Sequence, residues 1–112
     1  MKKIEAIIRP ENLEAVKNAI AAAGATGITV VEAKGHGTQR GVMTTVGGEE
    51  VTVDLLPKLL LEIVVHEHQV DAVVEAIVSA SRTGNVGDGK IFVTPVETVL
   101  RVRTGETDAD AL

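Results

Sequence analysis

The feature that most constrains the fold is a repeat within the chain. The segment 13–27, LEAVKNAIAAAGATG, aligns without gaps with the segment 70–84, VDAVVEAIVSASRTG. Aliphatic residues recur at helical spacing in both copies: Leu13, Val16, Ile20 and Ala23, then Val70, Val73, Val74 and Ile77. This spacing predicts helices over 11–23, ending at Gly24, and over 70–81. Strand-like segments flank each helix, so the order β-α-β, long connection, β-α-β predicts an α+β ferredoxin-like sandwich.

The predicted strands cover 2–9, 28–34, 58–66, 91–94 and, after Pro95, 96–102. The segment 58–66 is apolar on both faces, with Leu59, Leu61, Ile63 and Val65 on one and Leu60 and Val64 on the other. Two helices cover only one face of a sheet, so the second apolar face predicts a homo-oligomer. Glu62 within this strand faces either a cavity between subunits or the sheet edge. The acidic tail TGETDADAL is expected to be loose.

The long connection, residues 35–57, is the first candidate functional region. VMTTV and EEVTV flank Gly47-Gly48, which predicts a two-residue β-hairpin. One interpretation is a projecting hairpin without a function. The other is a mobile arm whose root, GHGTQRG at 35–41, forms a glycine-rich anion site.

The second candidate region is the loop RTGNVGDGK, residues 82–90. Its three glycines allow positive φ, and successive N–H groups in such a loop can surround a phosphate beside the charge of Lys90. The loop matches G-x-x-x-x-G-K, the start of the P-loop motif of nucleoside triphosphatases. A P-loop, however, runs from strand to helix and has Ser or Thr after the lysine, whereas this loop runs from helix to strand and continues with Ile91. The alternative is a helix-to-strand turn with a solvated lysine.

Two arginines near the end of the chain could act with this loop. Arg101 and Arg103 lie two residues apart on the predicted last strand and would share one face. They fit a polyphosphate bound together with Lys90. They fit equally a solvated face with Glu97 or Glu106 as neighbours.

The composition excludes several classes of function. A net charge of −5 and a single aromatic residue, Phe92, argue against a nucleic-acid interface or an anionic membrane surface. With no cysteine, disulfides and thiolate metal sites are excluded. His66 and His68 lack a third ligand in register, and no nucleophile–base pair or catalytic carboxylate pair is found. No signal peptide or membrane-spanning stretch is found, so we expect one cytoplasmic domain without membrane insertion.

Five stretches together resemble the P-II nitrogen-regulatory signal proteins: MKKIEAIIRP, KGHGTQRG, VDLLPKLLLEIVV, ASRTGNVGDGKIFVTPVETVLRVRTGE and the final DAL. The resemblance covers the whole chain, 1–112, as one domain. It implies a homotrimer that binds ATP or ADP in clefts between subunits. Residues 35–57 correspond to the T-loop, 82–90 to the B-loop and 102–112 to the C-terminal loop. Residues 36–56 would dock on a protein target.

The resemblance also implies roles for individual positions. Nucleotide binding is implied for Thr29, Gly35, Gly37, Thr38, Val64, Gly87, Asp88, Gly89 and Lys90, with Arg101 and Arg103 from the neighbouring subunit. Binding of 2-oxoglutarate beside Mg-ATP is implied for Arg9, Gln39, Arg40, Gly41 and Lys58. Gln39 would also coordinate Mg²⁺ together with the ATP phosphates.

Several positions depart from the family pattern. Thr38 stands where most members have an arginine that reaches the γ-phosphate, which leaves the preference between ATP and ADP open. Val51 replaces the tyrosine that many members have nucleotidylylated, and Glu49 replaces a serine that some phosphorylate. We therefore expect no such modification. Gly47 replaces the arginine with which some members block ammonium channels, so we expect a different target.

Three functions remain in competition. The first is a non-enzymatic regulator that senses ATP, ADP and 2-oxoglutarate and controls a transporter or enzyme. The second is a slow ATPase that uses the same cleft. The third is a divergent sensor of energy charge or of another small anion.

Overall fold

The computed structural model describes residues 1–36, 42–53 and 55–112. Its helices and strands are β1 (Lys2–Ile8), α1 (Leu13–Ala22), β2 (Thr29–Gly35), β3 (Val42–Val46), β4 (Glu49–Val53), β5 (Leu56–Val65), α2 (Val70–Ser81) and β6 (Lys90–Pro95). Four strands form an antiparallel sheet in the order β2-β5-β1-β6. The strands of each β-α-β unit are separated by a strand of the other unit, which confirms the predicted ferredoxin-like arrangement.

The core lies between the two helices and one face of this sheet. Alternate residues of the two central strands are buried: Ile4, Ala6 and Ile8 of β1 and Leu59, Leu61, Ile63 and Val65 of β5. Val16 and Ile20 of α1 and Val73 and Ile77 of α2 cover them. The predicted inner face of β5 is therefore confirmed. Each fully buried side chain of this size stabilises the fold by about 1.5–3 kcal/mol, so the core fixes the strands that carry the site.

The first helix ends where the sequence predicts. Gly24 adopts a φ of +97°, and the N–H of Ala25 donates to the carbonyl of Ile20 at 3.1 Å. This 6→1 bond satisfies one of the carbonyl groups left free at a helix end. The helix therefore stops and the chain turns back toward β2.

The predicted hairpin in the long connection is confirmed. β3 and β4 pair in an antiparallel two-stranded sheet of their own, with Val46 opposite Glu49. Gly47 and Gly48 have φ values of +61° and +84°, the conformation of a two-residue hairpin turn that glycine adopts without strain. The root residues 37–41 lie outside the described residues.

The second face of the sheet has no helix over it. Val31 and Phe92 on this face are 42% and 48% exposed. Beside them, Glu5 and Glu62 lie directly opposite each other on paired strands, and Lys3 Nζ lies 3.6 Å and 3.5 Å from their carboxylates. Glu62 therefore belongs to a half-exposed charge cluster within an apolar surface.

Two predictions for the end of the chain are wrong. Residues 96–102 form no strand, because the pairing of β6 with β1 ends at Pro95, opposite Lys2. The Val96 N–H donates to the Met1 carbonyl at 3.2 Å, and the chain then leaves the sheet. The tail is not loose: Leu100 forms a β-bridge with Thr107, and Asp108–Ala111 is a short 3-10 helix.

Candidate functional site

The glycine-rich loop and the root of the long connection enclose a cavity of about 450 Å³. The loop contributes Asn85 to Lys90, and the root contributes Gly35, His36 and Lys58. Ile7 and Phe92 supply the apolar part of the lining. The structure thus brings together six residues predicted to bind ligands: Gly35, Lys58, Gly87, Asp88, Gly89 and Lys90.

Asp88 organises the loop from within. Its carboxylate accepts hydrogen bonds from the Thr83 N–H at 2.7 Å, from the Thr83 hydroxyl and from the Gly84 N–H at 2.9 Å. These bonds, those from Thr83 first, hold the pKa of Asp88 at about 2, below its ordinary value of 3.8. The carboxylate therefore stays ionised near neutral pH and holds Thr83 and Gly84, at the start of the loop, close to Asp88 near its end.

Gly89 brings the loop against the sheet. It has a φ of +110°, and a Cβ atom there would lie 1.7 Å from the carbonyl oxygen of Ile7. No side chain fits in that space, and an L residue is also strained at that φ. Gly89 is therefore required for β6 to begin beside β1 directly after the loop.

Two cations hold carbonyl groups of the loop. Arg9 Nη2 donates to the carbonyl of Val86 at 2.9 Å, and Lys58 Nζ donates to the carbonyl of Gly87 at 2.9 Å. Arg9 Nε also lies 3.4 Å from a carboxylate oxygen of Asp88. Positive charge and ordered peptide groups thus meet at one side of the cavity, where an anion would be stabilised.

Other predicted residues lie away from this cavity within the chain. Thr29 begins β2, and Gly35 ends it, so the two are about 20 Å apart. Val64 lies on the open face near the far end of β5. The remaining predicted positions, Gly37, Thr38, Gln39, Arg40 and Gly41, lie outside the described residues.

The placement predicted for Arg101 and Arg103 on one face of a strand is wrong, because residues 102–104 form a turn. Arg101 Nη1 pairs with Glu106 at 2.9 Å. Its Nη2 donates to the backbone oxygens of Ala111 and Leu112 at 3.3 Å and 3.4 Å. Within one chain, Arg101 therefore has Glu106 as its ionic neighbour, as the second of the two interpretations predicted.

The chain is similar in sequence to known proteins along its full length. The family model "Nitrogen regulatory protein P-II" matches residues 1–106. The chain belongs to the P-II family. It is 55% identical to the nitrogen regulatory protein P-II of Synechocystis sp. and 54% identical to that of Cereibacter sphaeroides, with both chains covered completely. It is 53% identical to the nitrogen regulatory protein P-II 2 of Methanothermobacter thermautotrophicus, over all of this chain and 97% of the relative.

Membership in the P-II family makes the chain a nitrogen-regulatory signalling protein. In the part of the chain that the structure describes, no helix is long and apolar enough to cross a membrane. Within the same residues, no group of three or more His, Asp or Glu side chains could hold a metal ion. The predicted Mg²⁺ ligand, Gln39, is not among them.

Sequence reasoning missed the residues that support the P-II loop. Thr83 donates twice to Asp88, and Ile7 supplies the backbone that Gly89 approaches. A signal for Thr83 does exist, because an aspartate among glycines often binds N–H groups a few residues away. The contact with Ile7 depends on strand pairing across more than 80 residues of sequence, which no local pattern indicates.

Proposed function

We propose that the chain is a cytoplasmic, non-enzymatic regulator that binds ATP or ADP phosphates in the glycine-rich loop and signals through residues 36–56. The observation that carries the proposal is the cavity in which Gly87 to Lys90 meet Gly35 and Lys58. It combines a cationic wall, a loop with positive φ at three glycines and an apolar patch from Ile7 and Phe92. These features suit the phosphates and the apolar edge of a nucleotide.

The loop offers the donors that phosphates require. In the described part of the chain, the N–H groups of Gly87 and Asp88 have no acceptor. Lys90 is exposed at the start of β6, and its ammonium group adds full charge at the same rim. Free N–H groups beside a lysine favour a phosphate over a neutral ligand.

A homotrimer with sites shared between copies is part of the proposal. Thr29 and Gly35 lie at opposite ends of one strand, so one nucleotide contacts both positions more readily when a second copy supplies one of them. The open sheet face exposes Val31 and Phe92, and a second and third copy would cover this apolar surface. Arg101 and Arg103 would then reach the phosphates from the neighbouring copy.

Lys58 supports 2-oxoglutarate as a further effector. A dicarboxylate needs a cation, and the ammonium group of Lys58 lies in the cavity wall on a backbone carbonyl, which an anion can displace. Gln39 and the ATP phosphates would hold Mg²⁺, and the metal would supply the remaining positive charge for the second carboxylate.

A binding role is favoured over an ATPase. Asp88 is a carboxylate of the cavity, but its hydrogen bonds and its pKa of about 2 make it a weak proton acceptor. A slow ATPase would show phosphate release that an Arg101→Gln variant lowers, whereas a sensor would bind nucleotide without measurable turnover.

Calorimetry tests the proposal directly. ATP and ADP are titrated into the chain, and 2-oxoglutarate is then titrated at saturating Mg-ATP and, separately, at saturating ADP. We expect micromolar nucleotide binding that Lys90→Ala weakens about tenfold, while the control Lys17→Ala, on α1, leaves it unchanged. We expect 2-oxoglutarate to bind only with Mg-ATP. Failure of both nucleotides to bind would overturn the proposal.

Native mass spectrometry tests the assembly. We expect a trimer of the 11.7 kDa chain, and we expect Phe92→Glu on the open face to shift the population toward monomers. A stable monomer for the unaltered chain would contradict sites shared between copies.

A further inference from the structure

Arg9 is the described side chain that contacts both a backbone carbonyl of the glycine-rich loop and its central carboxylate. Its Nη2 holds the carbonyl of Val86 at 2.9 Å, and its Nε lies 3.4 Å from Asp88. The Arg9 side chain is only 27% exposed. It does not line the cavity of the candidate site.

Lys58 makes the neighbouring contact. The register of β1 and β5 pairs Ile8 with Leu59, so Arg9 and Lys58 follow side by side where the two strands end their pairing. Lys58 Nζ holds the carbonyl of Gly87, the residue after Val86. Two adjacent strands thus hold two consecutive peptide groups of the loop.

These contacts orient the donors of the loop. In a planar trans peptide, the C=O and the N–H of the same unit point in opposite directions. Holding the carbonyl of Val86 therefore turns the N–H of Gly87 away from Arg9. Holding the carbonyl of Gly87 turns the N–H of Asp88 away from Lys58. Both N–H groups are free in the described chain, and their direction is set by the two cations.

We propose that Arg9 is a positioning residue of the phosphate-binding loop, which orients the peptide group between Val86 and Gly87 and restrains Asp88 without contacting the nucleotide. This proposal rests on the proposed function for its consequence in nucleotide binding. The guanidinium group suits the role, because its Nη2 donates to the Val86 carbonyl at 2.9 Å and to Asp88 Oδ1 at 3.5 Å, while its Nε lies 3.4 Å from the same carboxylate oxygen. A lysine at the same position would keep the charge but not this fixed planar arrangement.

Nuclear magnetic resonance of the ligand-free chain tests the positioning role. We expect Arg9→Gln to shift the amide signals of Val86 to Gly89 and to speed the hydrogen exchange of the Thr83 and Gly84 amides, which donate to Asp88. Amides of β1, β5 and the two helices should keep their shifts and exchange rates. Arg9→Lys should give an intermediate result.

Calorimetry of the same variants with ATP and with ADP, in the absence of 2-oxoglutarate, tests the consequence. We expect Arg9→Gln to weaken both nucleotides by similar factors of about tenfold, since the loop would hold phosphates that both contain. The matched control is Arg82→Gln, which removes an equal charge at the first residue of the loop but no described contact with the loop carbonyls.

Each outcome decides the proposal. Loop amides undisturbed by Arg9→Gln would overturn the positioning role, whether or not nucleotide binds. Equal weakening by Arg9→Gln and Arg82→Gln would show an effect of charge alone and would also overturn it. Disturbed loop amides in a chain that binds no nucleotide would retain the positioning role and overturn the proposed function instead.

Discussion

Two regions, the glycine-rich loop and the carboxyl-terminal segment (residues 100–112), carry cations that are predicted to bind the same phosphates. The surroundings of Lys90 in the loop and of Arg101 in the segment differ. In the loop, the backbone is held from two sides. Arg9, which follows β1, and Lys58 of β5 bind two carbonyls, and Asp88 within the loop accepts from the N–H groups of Thr83 and Gly84. In the segment, Arg101 is itself the group that is held, by Glu106 and two backbone oxygens of the tail.

The loop is therefore preorganised, whereas Arg101 is already bound by other groups of the same chain. The loop already has its donors directed before a ligand arrives, so binding costs little ordering of the chain. Arg101 must exchange an ionic partner and two carbonyl contacts before it can bind a phosphate. Changes in the loop should therefore weaken binding strongly, and changes in the segment should alter it weakly.

The largest effect is expected at Gly89. In Gly89→Ala, the new Cβ would meet the carbonyl of Ile7 at 1.7 Å, so the loop must move away from β1. We expect nucleotide affinity to fall more than a hundredfold and the free energy of unfolding to fall by about 2–4 kcal/mol, since backbone strain adds to the clash. Calorimetry and thermal denaturation measure the two losses.

Gly84→Ala is the matched control for this change. Gly84 also has a positive φ, +87°, but nothing lies within 4 Å of its Cβ position. Only the strain of the left-handed conformation remains, about 1–2 kcal/mol. If the two variants lost equal affinity, close approach to Ile7 would not be what shapes the site.

Asp88→Asn should give the second largest effect. The Thr83 and Gly84 N–H groups both donate to Oδ2, whereas the Thr83 hydroxyl and Arg9 face Oδ1. An amide that keeps its oxygen at the first position places an NH₂ group, which accepts no hydrogen bond, at the second. We expect a roughly ten- to thirtyfold loss of nucleotide affinity, because the Thr83 hydroxyl and Arg9 lose the charged oxygen that they contact. Calorimetry measures this loss.

The control is Asp71→Asn on α2, which removes the same charge at a distance from the loop. It should leave the affinity for nucleotide unchanged. An Asp88→Asn variant that binds like the control would show that the carboxylate does not organise the loop.

The fold was predictable because its signals are local and repeated. Each of these signals lies within a few residues of sequence: the two helical stripes, the glycine after α1 and the Gly47-Gly48 turn. The structure confirms all of them. The strand predicted over 96–102 is wrong because a strand needs a partner, and the pairing of β6 with β1 already ends at Pro95.

The site was predictable in part for the same reason. The spacing of glycines in the loop predicts an anion site from local sequence alone, and Gly35 and Lys58 line the same cavity as the loop. The contacts of Arg9 could not be predicted, because they join residues 77 and 79 positions apart in sequence. The pairing of Arg101 depends on the tail folding back, which an acidic composition does not indicate.

Lowering the pH is a third test of how the loop is held, because protonation of Asp88 removes the charge that organises it. Its folded-state pKa of about 2 lies below the ordinary 3.8, so its stabilisation is complete above about pH 4 and is lost as the pH falls through 2. Amide shifts of Thr83 and Gly84 should stay constant from pH 7 to pH 4 and change together near pH 2. A midpoint at 3.8 or above would contradict the hydrogen bonds to the carboxylate.

The smallest effect is expected at Glu106. Glu106→Gln removes the ionic partner of Arg101, whose side chain is 37% exposed, and leaves the two backbone oxygens of the tail. An exposed pair is worth about 0.2–1 kcal/mol, so ATP affinity should rise only two- to fivefold if Arg101 must leave Glu106 to bind phosphate. Calorimetry with ATP measures the gain, and Glu97→Gln, an equal loss of charge outside this pair, should give none. A fall in affinity would mean instead that Glu106 directs Arg101 toward the ligand, and the carboxyl-terminal segment would then be as preorganised as the loop.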